Sequence, residues 1–268
     1  MKRSPNAAQE SQTTAGHEHR EAASAPCAIS VEEGYERWAP TYDHDPNPLL
    51  AREQRHLLPL LTDLRSKRIL DLACGTGRWL ETLMRQGAES GVGVDCSIAM
   101  LRVGVRKSCI AGRLARANCG NLPFRTAVFD LAVCSFAFGH LRDLGPTVRE
   151  LARVTKPQAD VFVSDLHPEA YARGWRVGFR DGGNALEIET MPRGAEQIPQ
   201  AFSANGFENL AYLALCLGEP EKPIFARAGK ADFFAKACQS PAVLVCHFKR
   251  LPGRLTPSTP ERLAEALP

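Results

Sequence analysis

The sequence predicts an α/β fold, a three-layer αβα sandwich on a mostly parallel sheet, and three observations lead there. From Lys67 onward short apolar runs alternate with helical stretches, the rhythm of βαβ units. The run Ile69 to Ala73 enters a tight turn, Cys74 to Gly77, and then a helical pattern from Arg78. At 268 residues, with 44% hydrophobic and 24% charged residues, the chain suits one domain of an ordinary globular protein with tails.

Taken in order, residues 1–28 are rich in Ala, Ser, Thr and charge without apolar periodicity, and are expected to form a disordered arm. Ser30 and Glu33 have capping-box spacing and open a helix through Trp38, and Asn47 with Pro48 starts a second one carrying Leu49, Leu57 and Leu61. Strands are expected at Arg68 to Ala73, Gly91 to Asp95, Leu114 to Asn118, Val128 to Ser135 and Asp160 to Asp165. Helices fill Arg78 to Arg85, Ser97 to Lys107 and Asp143 to Val154, with Gly87 placed to end the first. An insertion over about 167–195 follows, including the Gly and Arg-rich stretch Ala172 to Gly183 and a strand at Ala185 to Glu189. A helix at Glu196 to Ala204, a strand near Glu208 to Cys216, a helix around Phe225 to Cys238 and a strand at Ala242 to Lys249 complete a domain over 29–250, with a peripheral tail over 251–268.

Charge and composition exclude several partner classes. Net charge is +3, from 33 Lys and Arg against 30 Asp and Glu, too mild for a dedicated nucleic-acid binder. No run of 18 apolar residues is present to span a bilayer, the N-terminus has no apolar h-region, and Glu10, Glu18 and Glu21 argue against a transit peptide. A cytoplasmic protein is expected. The nine cysteines are scattered and never spaced CxxC, and no HExxH occurs, so neither a disulfide framework nor a metal site is expected.

The informative stretch is Ile69-Leu70-Asp71-Leu72-Ala73-Cys74-Gly75-Thr76-Gly77-Arg78. In doubly wound sheets, ligands bind at the carboxyl ends of strands. Gly75 and Gly77 let backbone approach a ligand, and the helix start supplies free N–H groups, so a nucleotide-like molecule fits. A dinucleotide fingerprint needs a third small residue for close packing around a pyrophosphate; here Leu80 stands at that position, which disfavours nicotinamide and flavin cofactors. The P-loop pattern is absent.

LDLACGTG resembles the first motif of class I S-adenosylmethionine-dependent methyltransferases, and the resemblance runs from about Tyr35 to Lys249. It implies a Rossmann-like sheet of seven strands, the last antiparallel, with S-adenosylmethionine as cofactor. GVGVDCSIAML resembles the second motif, whose terminal acid, Asp95, would receive the ribose hydroxyls; a carboxylate accepts two such bonds at once. ANCGNLPF resembles the third, with Asn118 where relatives carry Asp against the adenine amine; the amide oxygen can still accept. FDLAVCSFAFGHL resembles the fourth strand and the loop beyond it, beside the sulfonium, with Ser135 at its end. YERWAPTYD looks like the N-terminal lid of members acting on small molecules, with Tyr42 near the methionine moiety. Ala73, Cys74, Gly75 and Gly77 complete the expected cofactor contacts, together with Cys96, Cys119 and Asp71, the last near the cofactor's amino group.

Each of these residues has a plainer reading. The glycines could only shape a turn, Asp71 could bond neighbouring backbone, Asp95 could cap a helix with Ser97, and Cys74, Cys96, Cys119 and Cys134 suit small wall residues, since no basic neighbour lowers a thiol pKa. His140 and His167 follow strand ends, where a histidine can act as general base or merely bond a loop; His140 is the candidate for taking an acceptor's proton. Arg173, Arg176 and Arg180, interleaved with Tyr171, Trp175 and Phe179, form either a substrate lid or an amphipathic surface helix. The expected activity is methyl transfer to a small-molecule O, N or C nucleophile, without nucleic-acid or membrane partners. The alternatives are a non-catalytic binding protein on the same fold and, less favoured, a nicotinamide-dependent oxidoreductase.

Overall fold

The computed structural model describes residues 27–253. Of the arm expected over 1–28, residues 1–26 lie outside the described residues, and its last two positions already belong to strand β1 (Cys27–Ile29). Residues 254–268 of the expected tail lie outside them as well.

Ser30 caps helix α1 (Val31–Trp38), its hydroxyl accepting from the Glu33 N–H at 3.2 Å. Helix α2 (Pro48–Leu57) starts with Pro48 at its first turn, where the missing N–H costs nothing, and the Asn47 side chain accepts from Leu49 and Leu50 N–H groups. The alternating core then runs β2 (Arg68–Leu72), α3 (Arg78–Arg85), β3 (Ser90–Asp95), α4 (Ile98–Gly104), β4 (Leu114–Arg116), β5 (Phe129–Ser135), α5 (Gly145–Val154) and β6 (Thr155–Leu166). Past it come α6 (Pro168–Ala172), β7 (Gly178–Asp181), β8 (Asn184–Ile188), α7 (Gln197–Ser203), β9 (Phe207–Cys216), α8 (Lys222–Arg227), α9 (Phe234–Ala237) and β10 (Pro241–Arg250).

Seven strands form the main sheet in the order β4-β3-β2-β5-β6-β10-β9, parallel from β4 to β6, with β10 inserted antiparallel between β6 and β9. The pleat divides its side chains between two cores. Leu70, Ala132, Val161 and Leu244 pack with Val148 of α5 and Phe202 of α7 on one face, while Ile69, Leu131, Phe162 and Val243 pack with Leu57 of α2 and Trp79 of α3 on the other. The chain leaves β2 in one direction toward β3 and β4 and returns to β5 on the other side, so the crevice at the carboxyl ends of β2 and β5 is the topological switch point.

A second, three-stranded sheet, β1-β8-β7, lies beside α1. Its core is Ile29, Trp38, Phe179, Leu186 and Ile188, with the Trp38 and Phe179 rings stacked at 5.1 Å and 7°. Gly34 lets α1 lie flat against it, since a Cβ there would sit 2.7 Å from Ile188.

Three sequence expectations are corrected. The stretch carrying Arg173, Arg176 and Arg180 is neither one amphipathic helix nor a lid over the cavity: Gly174 at φ +87 ends α6, and Gly182 and Gly183 turn the following hairpin. Phe179 is buried under Trp38, and Arg176 and Arg180 donate to nearby backbone carbonyls of Tyr171, Trp175 and Gly183. The helix expected over Phe225 to Cys238 is broken, because Gly229 adopts φ +66 and the chain restarts in a 3-10 turn before α9. Strand β4 stops at Arg116, short of Asn118, whose side chain folds back to accept from the Gly120 N–H at 2.8 Å.

Candidate functional site

The carboxyl ends of β2, β3 and β5 open into a cavity of about 390 Å³, within the usual size of small-ligand sites. Its floor is the turn after β2. Ala73, Gly75 and Gly77 have φ of 53, 55 and 77°, and Gly77 begins α3 in the left-handed region. A Cβ on Gly75 would meet no protein atom within 4 Å, because that position borders the cavity. A Cβ on Gly77 would come within 2.5 Å of Ile110, so this glycine serves packing beneath the turn. Phe136, just past β5, also has φ 52 and lines the opposite wall, a second non-glycine residue held in a costly conformation beside Ala73.

Two buried carboxylates border the cavity. Asp95, at the end of β3, is buried and accepts from Gly75 N–H and Ser97 N–H, both at 2.8 Å, which ties the glycine turn to the neighbouring strand. Burial raises its pKa, while those backbone donors oppose the rise. Ser97 meanwhile caps α4, accepting from Met100 N–H. Asp71 is buried in β2 and accepts from Leu80 N–H at 2.8 Å, satisfying one free donor of α3. Burial pushes it up to about 7, against the pull of that N–H and of Arg78.

The wall toward α2 is ionic. Arg78 lines the cavity and donates to Glu53 Oε2 at 2.5 Å and to Ser135 Oγ at 3.0 Å. Glu53 is fully buried and also accepts from Trp79 Nε1 and from the Ser164 hydroxyl. Burial works against the Arg78 charge, but Glu53 and then Tyr42 outweigh it and raise the guanidinium pKa. A further clamp joins turn to lid: the buried Thr76 hydroxyl donates to Asp43 Oδ1 at 2.6 Å, and Lys107 pairs with Asp43 Oδ2 at 2.8 Å.

The roof is α1 and the segment after it. Val31, Glu32, Tyr35 and Tyr42 border the cavity from above, and Tyr35 Oη lies 2.9 Å from His140 Nε2. Burial keeps both phenols protonated, Tyr42 at about 12. His140 sits in the turn after β5, its Nδ1 3.0 Å from the Glu189 carbonyl, and burial lowers its pKa.

Of the residues singled out from sequence, Tyr42, Asp71, Ala73, Cys74, Gly75, Asp95, Cys96, Cys119, Ser135 and His140 border this one cavity. Gly77 and Asn118 do not: Gly77 lies beneath the turn, and Asn118 is turned into its own loop. His167 is buried elsewhere, capping α6 with its Nδ1. Burial raises the thiol pKa values of Cys74, Cys96 and Cys119, the last to about 12, as suits wall residues, and also that of Cys134, which the structure places in the core of the sheet rather than on the cavity wall. Sequence reasoning missed Tyr35 and Arg78 as cavity residues. Tyr35 stands in the lid-like segment Tyr35 to Asp43 and Arg78 directly follows the glycine turn, so position relative to the motifs was the available signal.

Among the described residues no cluster of three or more His, Cys, Asp or Glu side chains is arranged to hold a metal ion, and no helix is long and apolar enough to cross a membrane.

A family model described as a methyltransferase domain matches residues 69–158. A demethylmenaquinone methyltransferase from Thermobifida fusca is 37% identical over 172 residues, covering 56% of this chain and 72% of that protein. One of the same name from Lactiplantibacillus plantarum is 31% identical over 141 residues, covering 48% of this chain and 60% of that protein, so the chain spans three fifths of this relative's length. A solved S-adenosylmethionine dependent methyltransferase from Mesorhizobium loti shares the fold, with a TM-score of 0.61 at 21% identity over 76% of this chain and 100% of that one.

Proposed function

The chain belongs to the class I S-adenosylmethionine-dependent methyltransferases, and we propose that it transfers the cofactor's methyl group to a small-molecule acceptor bound beneath α1. The observation that carries this reading is the junction of the glycine turn and the acid: Gly75 N–H bonds Asp95 Oδ2 at 2.8 Å, and both border the 390 Å³ cavity. The residues fit the cofactor. Gly75 leaves the space a Cβ would fill, and Asp95 can accept from ribose hydroxyls with lone pairs its backbone donors leave over. Cys96 and Cys119 line the wall suited to the base, with Asn118 one residue outside it. Arg78, Tyr42, Ser135, Cys74, Ala73 and Asp71 suit the methionine portion, with Arg78 the natural partner of a carboxylate. Gly77 contributes through the shape of the turn.

When bound, the cofactor supplies a sulfonium methyl whose carbon–sulfur bond breaks in line with the nucleophile, leaving a neutral thioether. The chain's own residues orient and exclude water. The Thr76–Asp43–Lys107 clamp and the Trp38–Phe179 stack hold the lid region closed, which favours a near-attack arrangement in a dry site. Because relatives are named for demethylmenaquinone, a naphthohydroquinone is the acceptor class to try first. Thiols not paired in disulfides at Cys74, Cys96, Cys109, Cys119, Cys134, Cys216, Cys238 and Cys246 fit a cytoplasmic setting.

The test is titration calorimetry with S-adenosylhomocysteine, followed by radiolabelled methyl transfer to 1,4-naphthohydroquinone. Micromolar binding and labelled product are expected. A protein that takes up neither S-adenosylhomocysteine nor S-adenosylmethionine is no methyltransferase.

A further inference from the structure

The two bonds at His140 determine its tautomer. A carbonyl oxygen can only accept, so the 3.0 Å contact with Glu189 O requires a proton on Nδ1. In the neutral ring, Nε2 is then the lone-pair nitrogen, and the Tyr35 hydroxyl 2.9 Å away donates to it. The rings meet edge to face, with centroids 5.3 Å apart. His140 therefore does not present its basic nitrogen to the cavity, because Tyr35 covers it; the phenol oxygen is the atom left to accept a proton there, and both residues border the cavity.

We propose that Tyr35 and His140 form a proton relay in which the Tyr35 oxygen takes the acceptor's proton and His140 Nε2 takes the phenol's. This deepens the methyltransferase reading and rests on it. The class of acceptor follows: a hydroxyl, such as that of a phenol or hydroquinone, that must lose its proton to become nucleophilic. In the step, the acceptor O–H bond breaks as a new O–H bond forms on Tyr35. The original Tyr35 O–H breaks as N–H forms on Nε2. The electron pair released on the acceptor oxygen bonds the methyl carbon, directly or, in a hydroquinone, through the adjacent ring carbon, as the carbon–sulfur pair stays with the thioether; the ring-carbon path ends with loss of that carbon's proton to solvent. The imidazolium, its Nδ1–H still bonded to the Glu189 carbonyl, later returns its proton to solvent.

Three distant parts of the chain build the relay. Tyr35 comes from α1, His140 from the turn after β5, and the Glu189 carbonyl from the residue after β8. Glu189 is held in turn by its own N–H, which donates to Ile29 O of β1 at 2.9 Å. The small sheet thereby fixes the tautomer of His140, and the base exists only while α1 covers the cavity. A hydroxyl is deprotonated only after the site has closed over it, as in closures that assemble a catalytic site.

Nitrogen-15 NMR of the full-length protein with labelled histidine tests the arrangement without turnover. Wild type is expected to show His140 with a pyrrole-type Nδ1 and a pyridine-type Nε2. In Tyr35→Phe the Nε2 resonance should move toward that of a nitrogen without a hydrogen bond. A protonated Nε2 in the neutral ring, or a resonance that Tyr35→Phe leaves unmoved, overturns the relay. Tyr35→Phe should also bind S-adenosylhomocysteine within about threefold of wild type while methylating 1,4-naphthohydroquinone about 100-fold or more slowly. His140→Gln, whose amide can accept from the phenol but take no proton, should lose a comparable factor. Turnover of Tyr35→Phe within about threefold of wild type, or loss of S-adenosylhomocysteine binding in that variant, also overturns the relay. If wild type itself binds no S-adenosylhomocysteine, the methyltransferase reading fails; if it binds but leaves the hydroquinone unmethylated, that acceptor class fails. In both cases the NMR result still decides the hydrogen-bonded chain.

Discussion

Replacing Glu53 by alanine should be among the most damaging single changes in the protein. Glu53 is fully buried and accepts from Arg78, Trp79 and Ser164 at once. Without it, Arg78 keeps its charge with only Ser135 and a long contact to Gln54 as polar partners on that wall. Breaking one side of a buried ion pair typically costs about 3–5 kcal/mol. For a domain of this size, about 2–4 °C of Tm per kcal/mol translates that into a fall of roughly 6–20 °C. The double variant Glu53→Leu with Arg78→Met removes both charges and should recover most of the stability, to within about 1–2 kcal/mol of wild type. If Arg78 holds the cofactor's carboxylate, the double variant still binds S-adenosylhomocysteine about 10- to 150-fold more weakly, the value of one charged hydrogen bond. Urea denaturation monitored by circular dichroism, paired with calorimetric titration, separates the two effects. A loss below about 1 kcal/mol for Glu53→Ala would mean that the pair is not buried as the geometry indicates, and the reasoning would be refuted.

Asp95→Ala should weaken S-adenosylhomocysteine binding by at least about tenfold, since it removes an acceptor and frees the turn it anchors through Gly75; unchanged calorimetry would remove the acid from the site. The two glycines should behave differently. Gly77→Ala meets Ile110 at 2.5 Å in a left-handed conformation and is expected to cost about 1–3 kcal/mol in urea denaturation. Gly75→Ala costs only the conformational part, about 1–2 kcal/mol, yet places a methyl in the cavity and should weaken cofactor binding more than its neighbour does. On the far side of the sheet, burial alone would raise the Asp160 pKa, but bonds from His247 and Lys249 pull it down to about 2. Its folded pKa lies below the unfolded one, so its contribution is complete above about pH 4 and is lost as pH falls toward 2. Asp160→Asn should therefore lower stability at pH 7 and flatten the acid limb of a denaturation profile.

Much of the molecule was legible because its signals are local. Apolar runs mark β2, β3 and β5, Ser30 and Asn47 mark helix starts, and the paired glycines with Asp95 lie within one βαβ unit, where spacing alone brings them together. Elements whose form depends on a few residues were harder. The break at Gly229 competes with good helix formers on either side, and a single left-handed residue decides it. The arginine-rich stretch has helical spacing, but Phe179 gains more by stacking on Trp38 than a surface helix could offer.

Sequence by itself thus determined the sandwich, the glycine turn and the acid beside it, since backbone preference and the burial of one strand face are written in adjacent residues. Tertiary structure alone decided that Glu53 meets Arg78, that Tyr35 meets His140 across 105 positions, and that the carbonyl of Glu189 orients that histidine. The physical reason is that hydrogen bonds between distant segments depend on how layers dock. Docking is set by the summed packing of Trp38, Phe179, Leu57 and Trp79 rather than by any pattern within one segment.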